Sequence, residues 1–215
     1  MEETMKFESW VVNESKPDAN LGLLRSLKYD ALVKQNRYEY FESFVRNFPG
    51  KAGVALRVII LRRFFQSFGK NVVLWPGIRF RFPYKIELGD NVSISYDCIL
   101  QAGGGIVLGD NTLIGPSVKI WSVNHMFKEL DRPINRQGYE GRPVIIGNDC
   151  WIGSNSFMKP GTYLPNGCVV LPGTVLGKMI IPEYSVISGN PAKIIGPRNR
   201  VGAMLGWKKT KEESE

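Results

Sequence analysis

Between residues 74 and 195 of this chain an aliphatic or aromatic residue recurs every six positions, and few folds accept that period. Leu74, Phe80, Leu88, Ile94, Leu100, Leu108, Ile114 and Ile120 mark it first; after an interruption come Ile146, Ile152, Met158, Leu164, Val170 and Leu176. A helix repeats at about 3.6 residues and a strand at 2, so neither alone explains the spacing. Four positions beyond most of these residues stands a small or β-branched one: Val92, Cys98, Thr112, Val118, Cys150, Ser156, Thr162, Cys168, Thr174 and Ile180. Glycine follows directly at Gly89, Gly109, Gly115, Gly147 and Gly153. One hexad cannot bury its own apolar side chain, so successive hexads must stack into a solenoid with a continuous core. Three hexads make one triangular turn. The expected fold class is mainly β, a parallel β-helix solenoid.

The spacing widens from six to eight between Phe80 and Leu88, and again between Leu100 and Leu108. These stretches lie 20 positions apart, which places them above one another at one corner, with Gly103, Gly104 and Gly105 supplying backbone freedom. A larger break, residues 123–143, reads as a polar loop ejected between two turns. Loops on rigid scaffolds are where binding and catalysis concentrate.

Residues 1–70 lack the period. Asn20 to Phe48 mixes Leu, Tyr and Phe with charges in the manner of one or two amphipathic helices, which Pro49-Gly50 should end. Lys51 to Lys70 is expected to form a second helix with Val54, Val58, Leu61, Phe65 and Phe68 on one face. That stretch carries Lys51, Arg57, Arg62, Arg63 and Lys70 and no acid. Two compatible readings stay open: a cap on the open end of the solenoid, and a basic amphipathic surface making peripheral contact with the inner membrane surface. The chain thus divides into a helical segment (1–70), the β-helix domain (71–197) and a tail (198–215), whose charged end from Lys208 to Glu215 is expected to be disordered.

With 43% hydrophobic and 22% charged residues, the composition is that of an ordinary globular protein. A formal charge of +8 favours an anionic partner without choosing one. The positive charge is scattered and no aromatic-rich basic platform accompanies it, which argues against nucleic acid. No apolar run reaches the roughly 18 residues of a membrane span, and Met1 to Glu14 mixes acids with single apolar residues, so the cytoplasm is the expected location. Cys98, Cys150 and Cys168 all fall on the small inward position of the hexad, where cysteine serves as a small hydrophobe. One histidine, with no CxxC or HxxxH spacing, does not make a metal site.

That histidine, His125, opens the long loop in the run Ser122-Val123-Asn124-His125-Met126-Phe127. A neutral imidazole is the usual general base for a hydroxyl or amine near neutral pH. The hexads around this run, followed by GRPVIIGNDCWIGSNSFMKPG and SGNPAKII, resemble the left-handed β-helix acyltransferases with hexapeptide repeats. Among these they are most similar to the sugar O-acetyltransferases related to galactoside, maltose and capsular polysaccharide acetyltransferases. The resemblance covers about residues 70–197, and FPGKAGVALR before it resembles the polysaccharide-modifying members.

The resemblance implies a left-handed coil, an exception to the right-handed crossover rule, and a homotrimer with its active sites between subunits. It implies acetyl-CoA as acyl donor, lying along the groove between neighbouring solenoids, and no metal in catalysis. His125 matches the catalytic histidine, which removes the proton from an acceptor hydroxyl as that oxygen attacks the thioester directly. Positioning of the two substrates would then supply much of the rate. Trp151, Ser154, Lys178 and Lys193 match cofactor-binding positions, and Asn124 is placed to orient the histidine or contact the acceptor. Where the galactoside and maltose enzymes carry an asparagine-containing run on the preceding coil, this chain has Ser95-Tyr96-Asp97. Asp97 is therefore a candidate for substrate binding, with two other readings open, orienting His125 from a neighbouring subunit or standing as a solvated corner residue, and the acceptor's identity does not carry over. The expected activity is acetyl-CoA-dependent O-acetylation of a sugar or glycan hydroxyl in surface polysaccharide biosynthesis. Acetylation of an amino sugar, serine or an antibiotic stays open, as does a non-catalytic oligomerisation scaffold. A zinc hydratase on the same solenoid would need three histidine ligands.

Overall fold

In the computed structural model, which describes residues 22–32 and 34–204, the hexads become strands of two or three residues separated by tight corners. Residues 208–215 lie outside the described residues. Three sheets form the walls of a triangular solenoid. The first stacks Ser67–Phe68, Ile86–Leu88, Ile106–Leu108, Val144–Ile146 and Tyr163–Leu164. The second stacks Val73–Leu74, Ser93–Ile94, Leu113–Ile114, Trp151–Ile152, Val169–Val170 and Ser185–Ser188, and ends on Lys193–Pro197, which alone in the walls runs antiparallel to its neighbour. The third stacks Arg79–Arg81, Ile99–Gln101, Lys119–Trp121, Phe157–Met158 and Val175–Leu176. The chain is the expected parallel β-helix, and its course is consistent with the left-handed form.

The six-residue period is explained by the register. Leu88, Leu108, Ile146 and Leu164 sit over one another in the first sheet; Leu74, Ile94, Ile114, Ile152, Val170 and Ile187 do so in the second. Phe80, Leu100, Ile120, Met158 and Leu176 form the third column. All are at most 3% exposed. Burying a side chain of this kind stabilises by about 1.5–3 kcal/mol, and each turn of the solenoid adds three. The inward cysteines are free thiols buried in this core. Cys98 donates to the Gly115 carbonyl and Cys150 to that of Pro165, each at 3.1 Å, and burial pushes both thiols up to about 11.

At the N-terminal end, α1 (Leu23–Leu32), α2 (Lys34–Val45) and α3 (Gly50–Leu61) precede the first coil. The helix expected over 51–70, α3, is shorter than the pattern predicts: Arg62–Phe64 form a 3₁₀ turn, and Ser67–Phe68 already pair with Glu87 and Leu88. The solenoid therefore begins before residue 71. Once the Gln66 amide can donate to the Ile86 carbonyl (3.1 Å), sheet pairing replaces further helix. Leu61 and Phe65 are buried, and Val58 and Phe68 pack against the same core, so the apolar face covers the solenoid's end. Arg57 is 1% exposed and is not part of a basic surface. Its Nε donates to the Leu74 carbonyl (2.8 Å), and its Nη1 to those of Val45 (3.1 Å) and Phe48 (2.9 Å), tying α3 to the α2–α3 turn and the first coil.

Two further segments depart from the sequence pattern. Residues 123–143 are not a plain loop: Val123–His125 and Tyr139–Gly141 pair antiparallel as a hairpin. The tail starts with α4 (Arg198–Met204), whose Val201 is buried with Val169 and Val186. Arg198 anchors that helix through Nη1, which donates to Asp149 Oδ2 (2.7 Å) and the Gly167 carbonyl (3.1 Å).

Candidate active site

The hairpin leaves the solenoid where the widened spacings predict an unusual corner, between the third and first sheets. Ser122, fully buried, holds its root: Oγ donates to the Gln101 carbonyl (2.8 Å) and accepts from the Gly104 amide (2.9 Å). The Arg142 amide closes the far side by donating to the Ser122 carbonyl (2.8 Å). Of the three neighbouring glycines, only Gly105 adopts a left-handed conformation, at φ +92°. Gly104 is required for space instead: a Cβ there would stand 2.3 Å from the Ser122 carbonyl oxygen and 2.6 Å from the Arg142 amide nitrogen.

Between hairpin and wall lies a cavity of about 210 Å³ lined by Arg81, Phe82, Gln101, Trp121, Val123, Asn124, His125 and Tyr139. His125 is exposed, with its ring 4.2 Å from that of Tyr139, its partner across the hairpin. The rest of the excursion is tied down by Gln137, which is 6% exposed. Its Nε2 donates to the Glu129 and Arg132 carbonyls, both at 2.7 Å, and its Oε1 accepts from the Glu129 amide (3.0 Å). An accessible imidazole beside a cavity is chemically able to take a proton from a hydroxyl or amine bound there.

Of the residues singled out from sequence, Asn124 and His125 line this cavity. Asp97 does not; it is exposed at the corner between the second and third sheets, in a left-handed conformation at φ +57°. Ser154 occupies that same corner two coils on, its carbonyl accepting from the Gly173 amide (2.8 Å). Trp151 is half-buried on the second sheet and packs on the Val169, Val186 and Val201 cluster. Lys178 is exposed just beyond the third-sheet strand Val175–Leu176, on the hairpin's corner but two coils further along. Lys193, also exposed, opens the antiparallel strand at the far end of the second sheet. Within one chain these five stand apart from the cavity. Arg81, Gln101, Trp121 and Tyr139 were not singled out from sequence. A signal existed for three of them: residues 81, 101 and 121 recur at 20, each directly after an inward residue and before the altered corner.

A family model described as the hexapeptide repeat of succinyl-transferase matches residues 143–178. "Putative colanic acid biosynthesis acetyltransferase WcaF" of Escherichia coli K12 is 31% identical over 142 residues, covering 66% of this chain and 75% of that protein. The chain belongs to the hexapeptide-repeat acetyltransferases. Two solved structures of this family superpose on most of it. A maltose O-acetyltransferase from Clostridium difficile 630 does so with a TM-score of 0.70 at 29% identity, over 76% of this chain and 86% of its own. A galactoside acetyltransferase in complex with coenzyme A reaches 0.71 at 25% identity, over 84% and 88%. Membership of these acyltransferases makes the chain an enzyme of group transfer. Among the described residues, no cluster of His, Cys, Asp and Glu is suited to hold a metal ion, and no helix is long and apolar enough to cross a membrane.

Proposed function

We propose that this protein is an acetyl-CoA-dependent O-acetyltransferase that modifies a sugar hydroxyl in surface polysaccharide biosynthesis. The observation that carries the reading is the placement of the chain's single histidine, exposed on a braced hairpin at the wall of a cavity. His125 removes the proton from the acceptor hydroxyl as its oxygen attacks the thioester carbonyl; the acetyl group passes directly to that oxygen and coenzyme A leaves as the thiol. No acyl-enzyme forms, in keeping with cysteines that are buried and pushed to high pKa. Asn124, beside His125 in the cavity wall, contacts the acceptor.

The donor lies along the coils, with Lys178 and Lys193 exposed near the C-terminal end to meet its phosphates. Trp151 and Ser154 flank its pantetheine arm. Since Asp97, Trp151 and Ser154 sit away from the cavity, they reach a shared site only if a neighbouring solenoid brings its own copies, which supports a homotrimer. Exposed Phe127, Leu130 and Ile134 on the hairpin excursion offer a neighbour apolar surface to cover. The location is cytoplasmic. Any peripheral contact with the inner membrane surface rests on exposed Lys51, Arg62 and Arg63 together with Leu24 and Phe44 of α1 and α2, and not on the covered face of α3.

The test is release of free coenzyme A from acetyl-CoA in the presence of a panel of glycosides and nucleotide sugars. Acceptor-dependent release is expected for at least one class of sugar. Failure of every sugar, with release on amino sugars, serine or antibiotics, overturns the acceptor assignment. Failure to bind acetyl-CoA in calorimetry returns the chain to a scaffold role.

A further inference from the structure

The third wall of the solenoid carries a side chain that its alternation does not explain. Phe80, Leu100 and Ile120 point inward, so the residues that follow them, Arg81, Gln101 and Trp121, project outward on the pleat. Arg81 is exposed and Trp121 half-buried, yet Gln101 between them is 6% exposed. Its neighbours in the ladder are Arg81 on one side and Trp121 on the other, and its backbone is tied to the hairpin root, the Gln101 carbonyl accepting from both the Ser122 amide (3.0 Å) and Ser122 Oγ (2.8 Å). Its side-chain Oε1 has no hydrogen-bond partner among the described residues. Two other buried side-chain atoms share that condition, Tyr38 OH and Arg57 Nη2, and both belong to the N-terminal cap. Gln101 is the member that lines the cavity beside His125.

An unsatisfied buried polar atom is a standing loss of stability unless something binds it. Resting on the reading of His125 as the base for a sugar hydroxyl, we propose that Gln101 is a specificity-determining residue: its amide receives a second hydroxyl of the acceptor, adjacent to the one that His125 deprotonates. A hydroxyl suits the position because it donates to Oε1 and can still accept elsewhere. The surroundings fit a ring with two faces. Trp121, stacked on Phe157 with centroids 6.2 Å apart at 27°, and Phe82 give apolar wall for C–H groups, while Asn124 and His125 face the hydroxyl edge. The acceptor class is thus a polyol ring with vicinal hydroxyls, and an alcohol with one hydroxyl engages only half of the site.

The test uses the full-length protein, a series of methyl glycosides with matched monodeoxy analogues, and the variants Gln101→Met and Gln101→Asn. Because the chain has one histidine, its imidazole Cε1–H gives a single NMR reporter of cavity occupancy. Glycosides should shift that signal in the wild type, and Gln101→Met should bind them about tenfold more weakly, the scale of one neutral hydrogen bond. The deoxy analogue lacking the partner hydroxyl should lose about as much against the wild type and nothing further against Gln101→Met, since the two changes remove one interaction. Donor affinity should not move. Gln101→Met should also melt no lower than the wild type, because it deletes an orphaned polar atom; Gln101→Asn, which keeps the amide on a shorter arm, gives a second reading if packing of Met disturbs the wall. Equal glycoside binding by wild type and Gln101→Met, or additive losses for variant and analogue, overturns the inference and leaves the acetyltransferase reading standing. Gln101-dependent binding without release of coenzyme A sinks that reading and keeps the subsite, and absence of any glycoside binding removes the subsite.

Discussion

At the corner between the first and second sheets, polar side chains are consumed by the fold. The amides of Lys70, Asp90, Asp110 and Asn148 donate to the side-chain oxygens of Asp90 (2.7 Å), Asp110 (2.7 Å), Asn148 (2.8 Å) and Asn166 (2.8 Å) in turn, each coil capping the last. Beside them Asn71 donates to Asn91 (3.1 Å) and Asn91 to Asn111 (2.9 Å), all three in the left-handed conformation that asparagine tolerates. The corner between the third and first sheets has the same neighbours above and below but no such ladder. There the chain departs into the hairpin: Ser122 Oγ and Lys85 Nζ donate to the Gln101 and Gly103 carbonyls, while the His125 imidazole is exposed and Gln101 Oε1 has no hydrogen-bond partner among the described residues. A solenoid offers equivalent corners at every turn; one whose polar groups bond each other is rigid and chemically silent, and one whose groups are left open can bind.

The sharpest way to break that contrast is at His125. His125→Ala should lower turnover by about 10²-fold to 10⁴-fold while leaving the melting temperature and donor affinity nearly unchanged; normal turnover in a coenzyme A release assay would show that the open corner is not the catalytic one. Gly104→Ala comes next. Its Cβ has to displace the hairpin root, so urea titration should show a loss of about 1–3 kcal/mol, and turnover should drop with it because cavity and hairpin share that root. A variant that folds as stably as the parent and turns over normally would mean the root is pliable.

On the silent corner the expectation reverses. Asp110→Ala removes the acceptor for the Asp90 amide and should lower stability by about 1 kcal/mol with turnover unchanged. A selective loss of activity there would mean that the ladder also serves the site. The smallest effect belongs to the core thiols. With Cys98 and Cys150 pushed up to about 11 by burial, thiolate at pH 8 amounts to about one part in a thousand, and alkylation of the native protein should be slow. The thiol form is favoured in the folded state, so this contribution to stability is intact below the unfolded thiol pKa and is lost as pH rises from about 9 toward 11. Rapid native-state labelling at pH 8 would contradict the burial.

The regular corner was legible in the sequence because every element of it is local. Gly89, Gly109 and Gly147 after the inward aliphatics, followed by Asp or Asn, repeat with the hexad, and the period alone predicts their stacking. The departure at the other corner was legible as a change of spacing, and His125 as the only histidine within it. The pairing of Val123–His125 with Tyr139–Gly141 was not, since it joins two short polar segments across an excursion with no period to align them. The helix over 51–70 failed for a related reason: its apolar pattern continues to Phe68, and the pairing that ends it at Leu61 comes from Glu87 and Leu88 a full coil away. Arg57 reads as a surface charge until Val45, Phe48 and Leu74 are seen to present their carbonyls to it.

What the sequence determined by itself is the repeat: a period of six leaves each hexad unable to bury its apolar side chain alone, and stacking is the one arrangement that buries them all. It also marked the altered corner as the place that carries the chain's one imidazole, which is why the proposed mechanism is built on His125. Only the tertiary structure decided which side chains share the cavity with it. Asp97 and Gln101 are four positions apart in the chain, yet a corner separates them, and only Gln101 reaches the cavity under the hairpin root. Their separation arises from the turn of the solenoid between the second and third walls, and the cavity beside Gln101 is closed by a hairpin whose root is tied to the wall through Ser122 and Arg142, a packing event that no local pattern encodes.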